Sequence, residues 1–414
     1  MTRIGNQRAA FALAFPADHT TKVLLVAMPD SIHVARWLAA NVDNNLDIMV
    51  FASSPMRRVH PSIRELLGRR HPKGDSTGLV LRIHKLSFLL AIPLWIADRR
   101  FFFGGRLRGL LIAAAIASFK PRIVHTMESQ NGGYATYHGL RKSPSSSRPT
   151  TLLTLFGSDI YWFSRFEYHR KRLRELLSLT DFVQAECARD EALAKELAFG
   201  GIFLPLLPVS AGIPAAKLSA LPSPEQISAR KVIAVKGYAG KWGLAKSSID
   251  ALREITPALA GFTIELYSCD ARVARYAAAA FRGTDVTVIA HPKFSMTHTD
   301  MLSLFSRSKL AIALSRSDGL PASMLEAMSQ GAFPVQTGSA CVEGWISDGV
   351  NGLVVNDLDE NALAARLANL VQSNELLGIA AANNIAIISE RYSDRSITNS
   401  ASRIYELVLR NRNL

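Results

Sequence analysis

The stretch SRSDGLPASMLEAMSQGAFPVQTGSACVEGWISDGVNGLVV, residues 315–355, decides how the chain is read. An apolar run, Leu310 to Leu314, leads into Ser-Arg-Ser-Asp-Gly, so a strand empties into a polar loop. A helix follows, with Met324, Leu325, Ala327 and Met328 on its apolar face, and Gly331 closes it before a strand from Phe333 to Val335. Ser323 stands three residues before Glu326, the spacing of a capping box with Ser323 as N-cap. Strand, loop and helix start thus converge within a short segment. Such a helix start aims unpaired backbone N–H groups at the loop, an arrangement that suits a phosphate.

Asp318 and Glu326 punctuate this segment, followed by Ala327, Met328, Gly331 and Val335. The pattern resembles the donor-sugar motif of the retaining family 4 glycosyltransferases: an acid, seven residues, Glu, then Ala-Met-x-x-Gly-x-x-x-Val. The family has the GT-B fold, two Rossmann-like doubly wound α/β domains facing each other across a cleft. The resemblance implies that Asp318, standing where the family commonly has Glu, touches the transferred sugar, and that Glu326 accepts hydrogen bonds from the nucleotide ribose. It also implies donor contacts from Gly319, Leu320, Ala322 and Ser323. Gly338 and Ser339 would lie near the base, and Glu343 beside Gly344, a position the family often fills with Glu.

The chain has 414 residues, 48% of them apolar, enough for two or three domains with their own cores. Cys187, Cys269 and Cys341 are odd in number and widely spaced, which indicates neither a disulfide framework nor a zinc site and fits a reducing cytoplasm. The start, Met1 to Pro16, makes a poor secretory signal, and no stretch has the apolar length of a spanning helix. The net charge of +14 is uneven: residues 1–200 carry 28 Lys and Arg against 16 Asp and Glu, residues 201–414 carry 20 against 18. Such asymmetry points to a polyanion. Two apolar blocks, Leu86 to Ala97 and Leu110 to Phe119, alternate with Arg99, Arg100, Arg106 and Arg108, which fits an anionic membrane surface better than a nucleic-acid groove; two buried core helices with solvated arginines are the competing reading.

Along the chain, Lys22 to Met28 reads as the first buried parallel strand, with a helix after Pro29 capped by Asp30 or Ser31 that carries His33 and Arg36. Leu46 to Phe51 is a second strand, and 55–78 reads as a mobile loop. His125, Glu128 and Asp159 follow two further strand ends, where α/β sheets bind ligands, and are acceptor-side candidates with His33. Phe156 stands where related enzymes commonly carry histidine. The Pro-rich 209–226 segment reads as a linker between a first domain, 1–208, and a donor-binding domain, 227–390, with 391–414 as a helix crossing back. After a strand at Lys231 to Val235, the family carries an Arg and a Lys that neutralise the donor diphosphate. Here Lys236, Lys241 or Lys246 would serve, with Lys241 placed first and Lys236 second.

The resulting expectation is a retaining, metal-independent glycosyltransferase without a cofactor, using a UDP- or GDP-sugar as co-substrate and a saccharide acceptor. A polyprenyl-diphosphate-linked acceptor at the inner face of the cytoplasmic membrane completes the reading, and nucleic acid is no partner. A nucleotide-sugar epimerase of the same fold and a donor-binding module without catalysis are the alternatives.

Overall fold

The structure, a computed structural model, describes residues 20–55, 58–68, 78–102, 104–144, 148–209 and 212–411. The Met1–Pro16 stretch and residues 69–77 of the expected mobile loop lie outside them. Seven parallel strands build the first sheet: β1 Thr21–Ala27, β2 Leu46–Ala52, β3 Leu79–Ile83, β4 Ile123–Met127, β5 Thr150–Thr154, β6 Phe182–Gln184 and β7 Ile202–Phe203. Six build the second: β8 Val232–Lys236, β9 Thr263–Cys269, β10 Thr287–Pro292, β11 Ser308–Ala313, β12 Phe333–Thr337 and β13 Leu353–Val355.

The sheet orders are β3-β2-β1-β4-β5-β6-β7 and β10-β9-β8-β11-β12-β13. Each reverses its winding beside its first strand, at β1/β4 and at β8/β11, which opens a crevice at the carboxyl ends of the strands. Helices cover both faces, so the central strands are buried on both sides and read as unbroken apolar runs. Val23 to Ala27 of β1 are fully buried. Part of the expected 55–78 loop is instead the helix Pro61–Gly68, which starts on proline and buries Ile63.

One apolar cluster spans both halves of the molecule, joining Trp37 and Leu38 to Leu320, Met324, Trp345 and Tyr392. The chain passes between the halves twice, near Ile213 and near Ser393, and the passes are bonded together. Ile213 N donates to Tyr392 O at 2.9 Å and Asp394 N donates to Ile213 O at 3.0 Å. A Cβ on Gly212 would meet Ser393 O at 2.3 Å, so only glycine lets the two backbones approach this closely. A third link overturns the expectation of unpaired thiols. Cys187 and Cys341, 154 residues apart, form a disulfide from the first half to the second, and Cys269 is a buried thiol. Spacing along the chain carries no information about such a pairing, because the fold alone brings the two sulfurs together.

After the second pass, the helix Asp394–Asn411 lies against the helix Ile32–Ala40 of the first half. Its Tyr405 hydroxyl accepts from Trp37 Nε1 at 3.0 Å and meets His125 Nδ1 at 2.8 Å, while His125 Nε2 meets Thr154 Oγ1 at 2.8 Å. The indole can only donate, so the phenol oxygen accepts from Trp37. Burial lowers His125 to about 3 and keeps the ring neutral between its two hydroxyl partners. Tyr405→Phe removes the shared partner of two buried groups and is expected to lower unfolding free energy by about 1–3 kcal/mol, read from urea melts.

Candidate functional site

The loop after β11 runs into the helix Ala322–Ser329, whose N-cap position is Pro321, with no side-chain cap. The expected capping box is therefore absent, and Ser323 lies inside the first turn. A β-extended residue before the helix can start it without a side-chain cap, and the preceding proline already fixes the chain direction. Glu326 is thereby released from helix capping. Its Oε1 lies 3.2 Å from His298 Nε2, and its carboxylate lines a cavity of about 410 Å³.

That cavity sits at the carboxyl ends of the second sheet. Lys236 enters from the end of β8, Tyr267 and Ser268 from β9, and Pro292 from β10. Asp318, Leu320, Ala322 and Ser323 close the loop side, and Met296 and Met301 add an apolar wall. His33 reaches in from the other half. The Lys236 ammonium lies 3.4 Å from Asp318 Oδ2. Burial opposes the charge on Lys236, but Asp318 outweighs it and holds the ammonium above the usual lysine range. The His33 ring is driven down to about 4, first by burial and then by Arg36, against the pull of Asp318, and is therefore neutral near pH 7. Its Nδ1 is buried without a hydrogen-bond partner.

Side chains of the first half hold the loop's backbone. Glu186 Oε1 accepts from Val209 N at 3.0 Å and its Oε2 from Leu320 N at 3.2 Å. Arg189 Nη1 donates to Ser339 O at 2.6 Å and Nη2 to Asp318 O at 3.1 Å, with Nε paired to Asp190 at 2.9 Å. Gly319 is required here, since a Cβ would stand 2.4 Å from Glu186 Oε2. Burial pushes the Glu186 carboxyl up to about 7, against the two amides that favour its charge. No local signal marked Glu186 or Arg189, beyond their place just after the end of a parallel strand.

The remaining candidates fall elsewhere. Lys241 lies outside the cavity lining, with its ammonium 4.7 Å from the Trp242 ring centroid and 5.4 Å from that of Phe163, where Trp242 and Trp162 meet edge to face across the two halves. Gly338 is exposed at the turn after β12, and Ser339 Oγ donates to Ser315 O at 2.5 Å. Glu343 is exposed and does not line the cavity. His125, Glu128 and Asp159, the acceptor-side candidates, are all buried inside the first half. Glu128, at a φ of 88°, accepts from Gly132 N at 2.7 Å and braces its own turn. Asp159 accepts from Ser129 N at 3.1 Å, and burial and the neighbouring Glu128 raise its carboxyl well above the usual range. Polar residues at strand ends read alike in a sequence whether they face a cleft or tie down a turn.

Residues 249–373 match the family model described as Glycosyl transferases group 1. No curated protein matches the chain in sequence. Among solved structures, HepE of Anabaena in complex with UDP aligns at 15% identity over 94% of this chain and 100% of its own, with a TM-score of 0.62. A glycosyltransferase from Rickettsia africae aligns at 13% identity, 95% and 99% coverage and a TM-score of 0.63. Sucrose-phosphate synthase from Thermosynechococcus elongatus aligns at 13% identity, 94% and 100% coverage and a TM-score of 0.63. The fold is thus GT-B, and the chain carries a group 1 glycosyltransferase domain within its second half.

One outcome is expected from this geometry. Glu186 is raised above its unfolded value, so its contribution to stability is complete below about pH 4.5 and is lost as pH rises through about 7. Glu186→Gln is therefore expected to show a flatter fall in stability between those pH values than the parent, by up to about 3 kcal/mol in denaturant melts.

Proposed function

We propose that the chain transfers a sugar from a nucleotide diphosphate donor, a UDP- or GDP-sugar, to an acceptor hydroxyl with retention of anomeric configuration. One observation carries the reading: Lys236, Asp318, Glu326 and the start of the helix Ala322–Ser329 share one cavity at the strand ends of a group 1 glycosyltransferase domain. A cation, two acids and free helix N–H groups are what a diphosphate sugar needs. HepE, of the same fold, has been crystallised with UDP and with UDP-glucose, which supports a uridine donor.

In this reading the diphosphate takes the Lys236 ammonium that Asp318 now holds, and Asp318 turns to the hydroxyls of the sugar. Glu326 accepts from the ribose through the oxygen not shared with His298. The neutral His33, with its unpartnered Nδ1, reads a sugar hydroxyl from the opposite half. The bond from the anomeric carbon to phosphate oxygen breaks, and the bond to acceptor oxygen forms on the same face. The acceptor's proton passes to the departing phosphate oxygen, so no protein nucleophile is needed. Lys236 and the helix start stabilise the charge that builds on the leaving group, and the two halves supply orientation. No metal takes part in this scheme. The acceptor is a saccharide, and a polyprenyl-diphosphate-linked one at the inner face of the cytoplasmic membrane fits the basic first half.

Glu326→Ala is expected to cut transfer from the accepted donor by about 10²-fold or more with an unchanged melting curve, since a charged acceptor of ribose hydroxyls is removed. Proton NMR of the product is expected to give the donor's anomeric configuration, and EDTA to leave the rate unchanged. An inverted product would end the retaining scheme, and full activity of the variant would end the assignment of the site.

A further inference from the structure

The segment Lys85–Phe102 is a run of short helical pieces on the first half, Lys85–Leu89, Ala91–Ala97 and a π-turn over Asp98–Phe102. It turns its apolar side chains outward. Of the 18 large hydrophobic side chains exposed among the described residues, seven lie between Leu86 and Leu110, with Leu89 at 60% and Phe101 at 68% exposure. Lys85, Arg99, Arg100 and Arg106 are exposed among them. Arg99 lies 5.1 Å from the Trp95 ring centroid and Arg100 5.6 Å from that of Phe101, so cations and apolar rings share one face. The single acid of residues 85–110, Asp98, is buried, pairing with Arg108 at 2.9 Å and accepting from Leu107 N at 2.7 Å. Residues 85–110 therefore offer positive charge with no exposed carboxylate of their own, beside apolar groups that water does not favour.

This face is firmly built. Ser87 Oγ accepts from Ala52 N at 3.0 Å, and Arg108, which pairs with Asp98 of the segment, donates to Ser53 O at 2.7 Å, so the segment is tied to the carboxyl end of β2 directly and through that pair. That is the edge of the sheet on which the cleft opens. Between the face and the cleft lies a second cavity of about 920 Å³, lined by Phe88 from the outward segment and by Arg58, His60 and Arg64. Asp30 also lines it, its carboxylate accepting from Ser54 Oγ at 3.2 Å. Phe294 borders this cavity and the donor cavity alike. It is fully exposed and held at a φ of 66°, a backbone state that costs an aromatic residue energy.

We propose that the Lys85–Phe102 face docks on an anionic lipid bilayer, and that the basin of Arg58, His60 and Arg64 receives the anionic headgroup of a lipid-borne acceptor on its way to the donor cavity. Charge complementarity selects the bilayer as occupant. Leu89, Ile96 and Phe101 enter the headgroup boundary while Lys85, Arg99, Arg100 and Arg106 meet the lipid phosphates. Only the acceptor's passage rests on the sugar-transfer reading; docking stands or falls by itself.

The test is co-sedimentation of the full chain with vesicles of phosphatidylcholine alone and with about 30 mol% phosphatidylglycerol. The parent is expected to pellet with the anionic vesicles, about tenfold or more over the neutral ones, and to be released by high salt. Leu89→Asp/Phe101→Asp and Arg99→Glu/Arg100→Glu are each expected to lose about tenfold or more of that binding, with unchanged melting curves and unchanged UDP affinity. Arg58→Ala/Arg64→Ala is expected to keep vesicle binding and to raise KM for a lipid-linked acceptor over that for its soluble analogue. Equal pelleting on both compositions, parent-like binding by the first two variants, or a concentration-dependent dimer that Leu89→Asp/Phe101→Asp dissolves would each overturn the proposal. Loss of UDP binding by the parent would strike the sugar-transfer reading instead and leave the docking result to be read separately.

Discussion

The loop that carries Asp318 is held in shape by the opposite half of the molecule. Its exposed amides and carbonyls have no ladder to join, and a loop of this kind costs energy wherever its polar backbone is buried without partners. Glu186 takes the Leu320 amide and Arg189 fills the carbonyls of Asp318 and Ser339, so the candidate site is complete only while the halves are together. Gly319 is the covalent side of the same constraint, because a side chain there would displace Glu186. The cavity is in this sense an interface property, although its chemistry-bearing residues come mostly from one half.

The architecture was legible because its signals are local. Val23 to Ala27 and Leu310 to Ala313 are buried on both faces and therefore apolar without alternation, and the helices between them show the longer period. The segment around Asp318 and Glu326 could be placed at a strand end for the same reason. Contacts between distant residues were not legible. His125 reads as a cleft histidine at the end of a strand, yet Tyr405, 280 positions later, claims its Nδ1. Lys241 ranks ahead of Lys236 in sequence, and only the fold reverses that order, with Lys236 at the end of β8 inside the cavity and Lys241 drawn aside to Trp162 and Trp242. Ser323 and Glu326 matched a capping box in every respect but one: the chain had already turned into the helix at Pro321.

Charge is distributed to match this division of labour. The second half is nearly neutral in sum and spends its cations singly, as with Lys236 against Asp318 and Arg307 against the buried Glu265. The first half carries most of the surplus, and part of it stands on an apolar surface whose own segment, residues 85–110, has no exposed carboxylate. A buried pair costs desolvation that the attraction of its partner opposes, whereas an exposed cation keeps its hydration until an anion arrives. The two halves thus differ in what they are prepared to meet.

The paired passage of the chain between the halves has a mechanical meaning. A single flexible connection would let one body swing, twist and slide relative to the other, but two backbone segments bonded side by side, at Ile213 and at Tyr392 and Asp394, form a seam with a defined direction. Rotation about that seam leaves its bonds intact, while torsion or translation would have to break them. Gly212 allows the seam to be narrow, and a narrow seam is a stiff pivot. The Cys187–Cys341 disulfide ties the halves at a further point, so any opening of the cleft is confined to the short arc about the seam that this covalent link permits.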